Sequence, residues 1–142
     1  MTDREGREKM AINAYSLAKD GGKKLTANFA VSEFACKDGS DPIFIDSDLA
    51  ALLQKIRDHF GKPVNINSAF RTASHNAKQK KASRYSQHLY GKAADIWIKG
   101  VSVDTLAAYA ETLLPDRGGI GRYHSDGFVH VDVRVNKSRW KG

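Results

Sequence analysis

Cysteine is almost absent: Cys36 is the only one among the 142 residues. That excludes an internal disulfide framework and a structural metal site built from several thiolates. Any metal ion is therefore expected to sit on histidine and carboxylate side chains. Long hydrophobic runs are also missing, and no stretch approaches the roughly 18–20 apolar residues that span a bilayer. The first ten residues, MTDREGREKM, carry charges with no apolar core behind them, so no secretory signal is expected there. There is no internal repeat and no low-complexity tract. No interleaved aromatic run of the kind that stacks bases is present either, so nucleic acid is not an expected partner. The net charge of +7 favours polyanions in general without choosing among them.

What is present suits one compact domain with a real core: 41% of residues are hydrophobic and 27% charged, spread along the chain. Met10, Ala14, Leu17 and Ala18 give residues 1–27 a modest helical pattern, read as an N-terminal helical arm before a domain over 28–142. Ser32 is placed to cap a short helix, and the cluster Asp38 to Pro42 reads as a turn. Leu49, Leu52, Leu53, Ile56 and Phe60 repeat at helical spacing, with Asp46 or Ser47 as cap and Gly61 just past the end. A second amphipathic helix uses Val103, Leu106, Ala107, Ala110 and Leu114, capped by Ser102 and stopped by Pro115. Strands are expected at 64–67, 93–98, 119–123 and 128–133, the last two joined as a hairpin through Ser125-Asp126-Gly127. The order predicts a single-domain α+β fold: a small, mostly antiparallel sheet, helices on one face, and a monomer.

Within this frame, His88 lies on a loop, and Asp95 follows seven residues later at the start of a strand, after the bend at Gly91. On the last strand, alternation puts Phe128, His130 and Asp132 on one face and Val129, Val131 and Val133 on the other. Two imidazoles and one carboxylate (His88, Asp95, His130) form a three-ligand zinc set that leaves a position open for water, the catalytic arrangement. Such an ion lowers the pKa of its water to about 7 and polarises a carbonyl, which suits hydrolysis of an amide.

The strings Ser86-x-His88-x-x-Gly91-x-Ala93-x-Asp95, Gly121-x-Tyr123 and Phe128-Val129-His130-Val131-Asp132 resemble the zinc D-alanyl-D-alanine carboxypeptidases and related murein endopeptidases. The likeness runs from about Asn28 to Trp140. It implies zinc as cofactor, peptidoglycan peptides as substrate, and an amide cut either at a terminal D-alanine or within a stem or crosslink. Ser68-Ala69-Phe70-Arg71-Thr72 matches the family segment whose arginine lies in the active site, so Arg71 is expected to stabilise the oxyanion. Ser86 and Tyr123 are expected to contact substrate. Many members carry an acid three positions before the last zinc histidine, and here that position is Gly127. The general base then falls among Asp132, Asp126 and His124. Asp132 ranks first, with the alternative that it orients a ligand. The missing acid also keeps open a non-catalytic zinc domain, as in the hedgehog signalling domain, whose zinc site resembles that of these peptidases. The place of action implied is the bacterial cell wall, in a setting such as a phage or prophage lysis protein. The basic run Lys78, Lys80, Lys81 and Arg84 is either a solvated face or an attraction for wall polymers and substrate carboxylates.

Overall fold

A computed structural model describes residues 12–79 and 86–142. Met10, Lys80, Lys81 and Arg84 lie outside the described residues. Two sheets and four helices make up the described part. The small sheet pairs β1 (Ile12–Ser16) with β2 (Pro42–Asp46), antiparallel. The main sheet holds β3 (Asn65–Ser68), β4 (Ala93–Trp97), β5 (Gly119–Tyr123), β6 (Phe128–Asp132) and β7 (Ser138–Lys141) in the order β3-β4-β6-β5-β7. Every pair in it is antiparallel except β5 with β7. The helices are α1 (Leu17–Asp20), α2 (Ser47–Phe60), α3 (Ala73–Ala77) and α4 (Val103–Leu113).

The two long helices form where periodicity and caps agree. In α2, Leu49, Leu52, Leu53 and Ile56 are buried, the Asp46 carboxylate accepts from the N–H of Asp48 at 2.8 Å, and Gly61 closes the helix in left-handed backbone. In α4, Ser102 accepts from the N–H of Thr105 at 3.0 Å, and Leu106, Ala107 and Ala110 point inward. They belong to one core with Ala94, Ile96, Ile120, Val129 and Val131 of the main sheet. Each large apolar side chain buried there contributes roughly 1.5–3 kcal/mol.

Two expectations need correcting. The described part of the supposed helical arm is a strand, Ile12–Ser16, followed by a single helical turn. Five residue pairs join β1 to β2, including Tyr15 with Ile43, and this long-range pairing overrides the weak helical period. The strand that follows the Asp38–Pro42 turn was not foreseen, with Ile43 and Ile45 buried and Phe44 exposed between them. The short helix near Ser32 is a 3-10 turn, Val31–Phe34, entered at Ala30.

Register decides what the main sheet presents. Asp95 lies opposite His130 and Ala93 opposite Asp132, while Gly121 and Gly119 flank the same two residues from the other side. Directly opposed residues share a face. One face therefore carries Asp95, His130, Asp132 and two glycines, and the other carries the valines and isoleucines that meet α4.

Candidate metal centre

His88 sits in a 3-10 turn, Gln87–Tyr90, that ends at Gly91 in left-handed backbone (φ 69°). The Ser86 hydroxyl oxygen caps this turn by accepting from the N–H of His88 at 3.2 Å. Ser86 thus helps to position His88. The turn is tied to the loop after β3 by the N–H of Arg71, which donates to the His88 carbonyl at 3.1 Å.

Three side chains converge. Nε2 of His88 lies 3.3 Å and Nδ1 of His130 3.0 Å from the same carboxylate oxygen, Oδ1 of Asp95. All three residues are buried, and their ligand-type atoms lie within 4.8 Å of one another. The outer nitrogens fix the tautomers. Nδ1 of His88 is 2.7 Å from the Ala69 carbonyl, which can only accept, so Nδ1 carries the proton and Nε2 is left as a lone pair. Nε2 of His130 is 2.7 Å from Oδ2 of Asp132, so it donates outward, and in the neutral ring Nδ1 turns its lone pair inward.

Neutral imidazoles in these tautomers aim two lone pairs at an anionic oxygen. That arrangement is repulsive unless a proton or a cation sits between them. Burial pushes the His88 pKa below its ordinary 6.5, with Asp95 offsetting only part. His130 goes the other way: burial alone would lower it, but hydrogen bonds to Asp132 and Asp95 and their charges raise it above 6.5. Asp95 would be pushed up by burial, yet hydrogen bonds from His130 and His88 hold it well below the usual carboxylate range. The donor set of two nitrogens and one oxygen fits zinc with a position to spare.

Asp132 is wholly buried and its lone pairs are spoken for. Its Oδ1 accepts from the N–H of Gly119 at 2.8 Å and from Nε of Arg134 at 2.8 Å, and Oδ2 takes Nη2 of Arg134 at 2.6 Å besides His130. A carboxylate closed on every side is poorly suited to collect a proton from water. It is well suited to hold a ligand histidine. The glycines of β5 make this possible. A Cβ on Gly119 would run into the Asp132 carboxylate, and one on Gly121 into the ring of Trp140.

Of the other expected residues, Arg71 joins the cluster. Its Nε donates to Ser68 Oγ at 2.9 Å, Nη1 to Asn76 Oδ1 at 3.2 Å and Nη2 to Asp95 Oδ2 at 3.3 Å. The guanidinium is thereby fixed on the outer oxygen of Asp95. Tyr123 stacks on Phe128 with ring centres 4.5 Å apart, and its hydroxyl accepts from Nε1 of Trp140 at 2.9 Å. Trp140 in turn lies 5.0 Å from the His130 ring. His124 is turned away: it pairs with Asp104 at the start of α4, together with Arg122, on the helix side of the sheet. Asp126 lies exposed on the hairpin turn.

Sequence reasoning missed Arg134, Asn76 and the packing role of Trp140. The signal for Trp140 was present in the alternation Gly119-Ile120-Gly121 beside His130-Val131-Asp132, which leaves space on one face for a bulky partner.

The sequence profile of the Peptidase M15 family matches residues 24–132, most of the chain and all of the cluster. The chain belongs to the Peptidase M15 family. Among curated relatives of this M15 protein, the probable peptidoglycan L,D-endopeptidase MepK of Haemophilus influenzae is 36% identical over 83 residues, covering 56% of this chain and 43% of that protein. Peptidoglycan L,D-endopeptidase MepK of Escherichia coli K12 is 30% identical over 95 residues, covering 63% and 51%. The M15 chain thus spans about half the length of the curated relatives it matches. No solved structure matches it at a significant level. Among the described residues, no helix is long and apolar enough to cross a membrane.

Proposed function

We propose that this M15 chain is a zinc peptidase that hydrolyses an amide bond in peptidoglycan stem peptides or crosslinks, as an endopeptidase. The observation that carries the reading is the convergence of His88 Nε2, Asp95 Oδ1 and His130 Nδ1 with their protons turned outward. The endopeptidase choice over removal of a terminal D-alanine rests on the names of the two MepK relatives.

His88, Asp95 and His130 would hold the zinc. When bound, it supplies an acidified water and polarises the scissile carbonyl. The protein's own groups do the rest. Ala69 and Asp132 engage the outer nitrogens of the two imidazoles, so that the inner nitrogens are the ones a metal would take up. Arg71, clamped by Ser68 and Asn76, presents a fixed positive charge beside Asp95, where negative charge develops on the carbonyl oxygen as the amide is attacked. Tyr123 and Trp140 form an aromatic wall over His130 and contribute to seating the peptide. Asp132 is an orienting group. Of the three candidate bases, Asp132 is closed off, His124 pairs with Asp104 on the helix side, and Asp126 lies exposed on the hairpin turn.

A second reading, a zinc-binding domain without turnover, is favoured by one observation: position 127 is glycine, and the acid nearest the ligands, Asp132, is saturated. Purified peptidoglycan incubated with the protein, with and without a chelator, separates the two when the products are read by mass spectrometry. New amino and carboxyl ends inside stems or crosslinks, lost with chelator and restored by zinc, support the endopeptidase. Released D-alanine makes it a carboxypeptidase. Bound zinc with no product supports the binding domain.

A further inference from the structure

One residue past Arg71, a second set of ligand-type side chains comes together. Cys36 is buried, His75 half-buried and Asp38 exposed, and their sulfur, nitrogen and oxygen atoms lie within 4.8 Å of one another. The three come from two segments: Cys36 and Asp38 from the loop after the 3-10 turn Val31–Phe34, and His75 from α3. Thr72 sits among them. Its N–H donates to Cys36 Sγ at 3.4 Å, its hydroxyl donates to Asp38 Oδ2 at 2.7 Å, and its oxygen accepts from the N–H of His75 at 3.2 Å. Gln79 Nε2 lies 3.3 Å from Nε2 of His75 and steadies the ring. The cluster plays no part in the amide chemistry proposed above.

We propose that Cys36, Asp38 and His75 form a second metal site, selective for a thiophilic divalent ion such as zinc. Thiolate, imidazole and carboxylate are each zinc ligands, and the soft sulfur disfavours magnesium or calcium. Binding converts the Cys36 thiol to its thiolate and releases one proton to solvent. The ion would clip the loop that carries Cys36 and Asp38 to α3. That helix also carries Asn76, whose side chain holds Arg71. The clip therefore steadies the guanidinium beside Asp95 from outside the catalytic cluster. A single cysteine is too few for a multi-thiolate site, but it suffices for a mixed one.

Cobalt(II) substitution tests this directly, because the His88 cluster has no sulfur and only the second site gives a thiolate-to-cobalt charge-transfer band. The full chain titrated with cobalt is expected to take up about two equivalents and to show that band. His88→Ala is expected to keep the band and lose one equivalent. His75→Ala and Cys36→Ser are each expected to lose the band at stoichiometric cobalt and keep one equivalent. His75 is the less buried of the two, so its variant decides the question if Cys36→Ser fails to fold, with circular dichroism reporting the fold. Absence of the band in the parent protein overturns the proposal, as does a band that survives His75→Ala undiminished. If the His88 cluster binds nothing, the band still appears with a single equivalent in the parent and in His88→Ala, so the two readings fail separately.

Discussion

The two faces of the main sheet are buried to a similar degree by opposite means. On the α4 side, Val129, Val131, Ile96 and Ile120 are closed over by Leu106, Ala107 and Ala110, and burial itself stabilises them. On the other side, Asp95, His130 and Asp132 are as deeply placed, and each needs a partner for every polar atom. Ala69, Gly119, Arg134 and Arg71 supply those partners around the rim. The crowded contact is at the centre, where two imidazole nitrogens meet one carboxylate oxygen. A packed face tolerates small changes with a graded loss of stability. A networked face fails at the group whose partner is removed, and its weakest point marks where the chemistry belongs.

Substitutions on the two faces should separate these behaviours, and the largest effect on turnover belongs to the ligands. His88→Ala is expected to bring peptidoglycan hydrolysis to background and to remove the ion held by this cluster, as read by elemental analysis. Asp132→Asn keeps the shape but weakens the grip on His130, so zinc affinity or activity should fall about 10- to 100-fold. A competition titration against a chelating dye measures it. An unchanged affinity would return Asp132 to the list of bases.

The pH dependence sharpens the comparison further. In the metal-free protein the His130 pKa is raised above 6.5, so its stabilising contribution is complete below that value and is lost as pH rises through the raised one. Zinc competes for the same Nδ1 and binds once the proton leaves. The rise in melting temperature on adding zinc should therefore be small in acid and grow across this window. A zinc-induced shift independent of pH would contradict the assigned tautomers. Least effect on turnover is expected from Leu106→Ala on the packed face. It should cost about 2–5 kcal/mol of stability by denaturant unfolding, with activity per folded molecule unchanged.

The same contrast governs what the sequence made legible. The packed face was readable because alternation and helical period report burial directly: α2, α4 and the β5–β6 hairpin lie close to where their apolar residues repeat. The ligand cluster was readable through a violation of that pattern, a His and an Asp alternating with valines. The small sheet was not foreseen, although Ile43 and Ile45 alternate with Phe44, because its partner β1 is mixed in character and pairs from Ile12 with Asp46 to Ser16 with Pro42, far along the chain. β7 reads as Ser-Arg-Trp-Lys, with no period to betray it, and only the sheet register brings Trp140 over Gly121 and His130. The closing-off of Asp132 was beyond sequence for the same reason. Its saturation depends on Gly119 and Arg134, which converge on it only in the folded chain.

The central claim is most directly tested by a crystal structure of the zinc-loaded protein with anomalous scattering at the zinc edge. The account predicts a peak about 2.0–2.2 Å from His88 Nε2, Asp95 Oδ1 and His130 Nδ1, with His130 Nε2 still donating to Asp132. A peak absent from this cluster, or a His130 ring reversed to bind through Nε2, would contradict it.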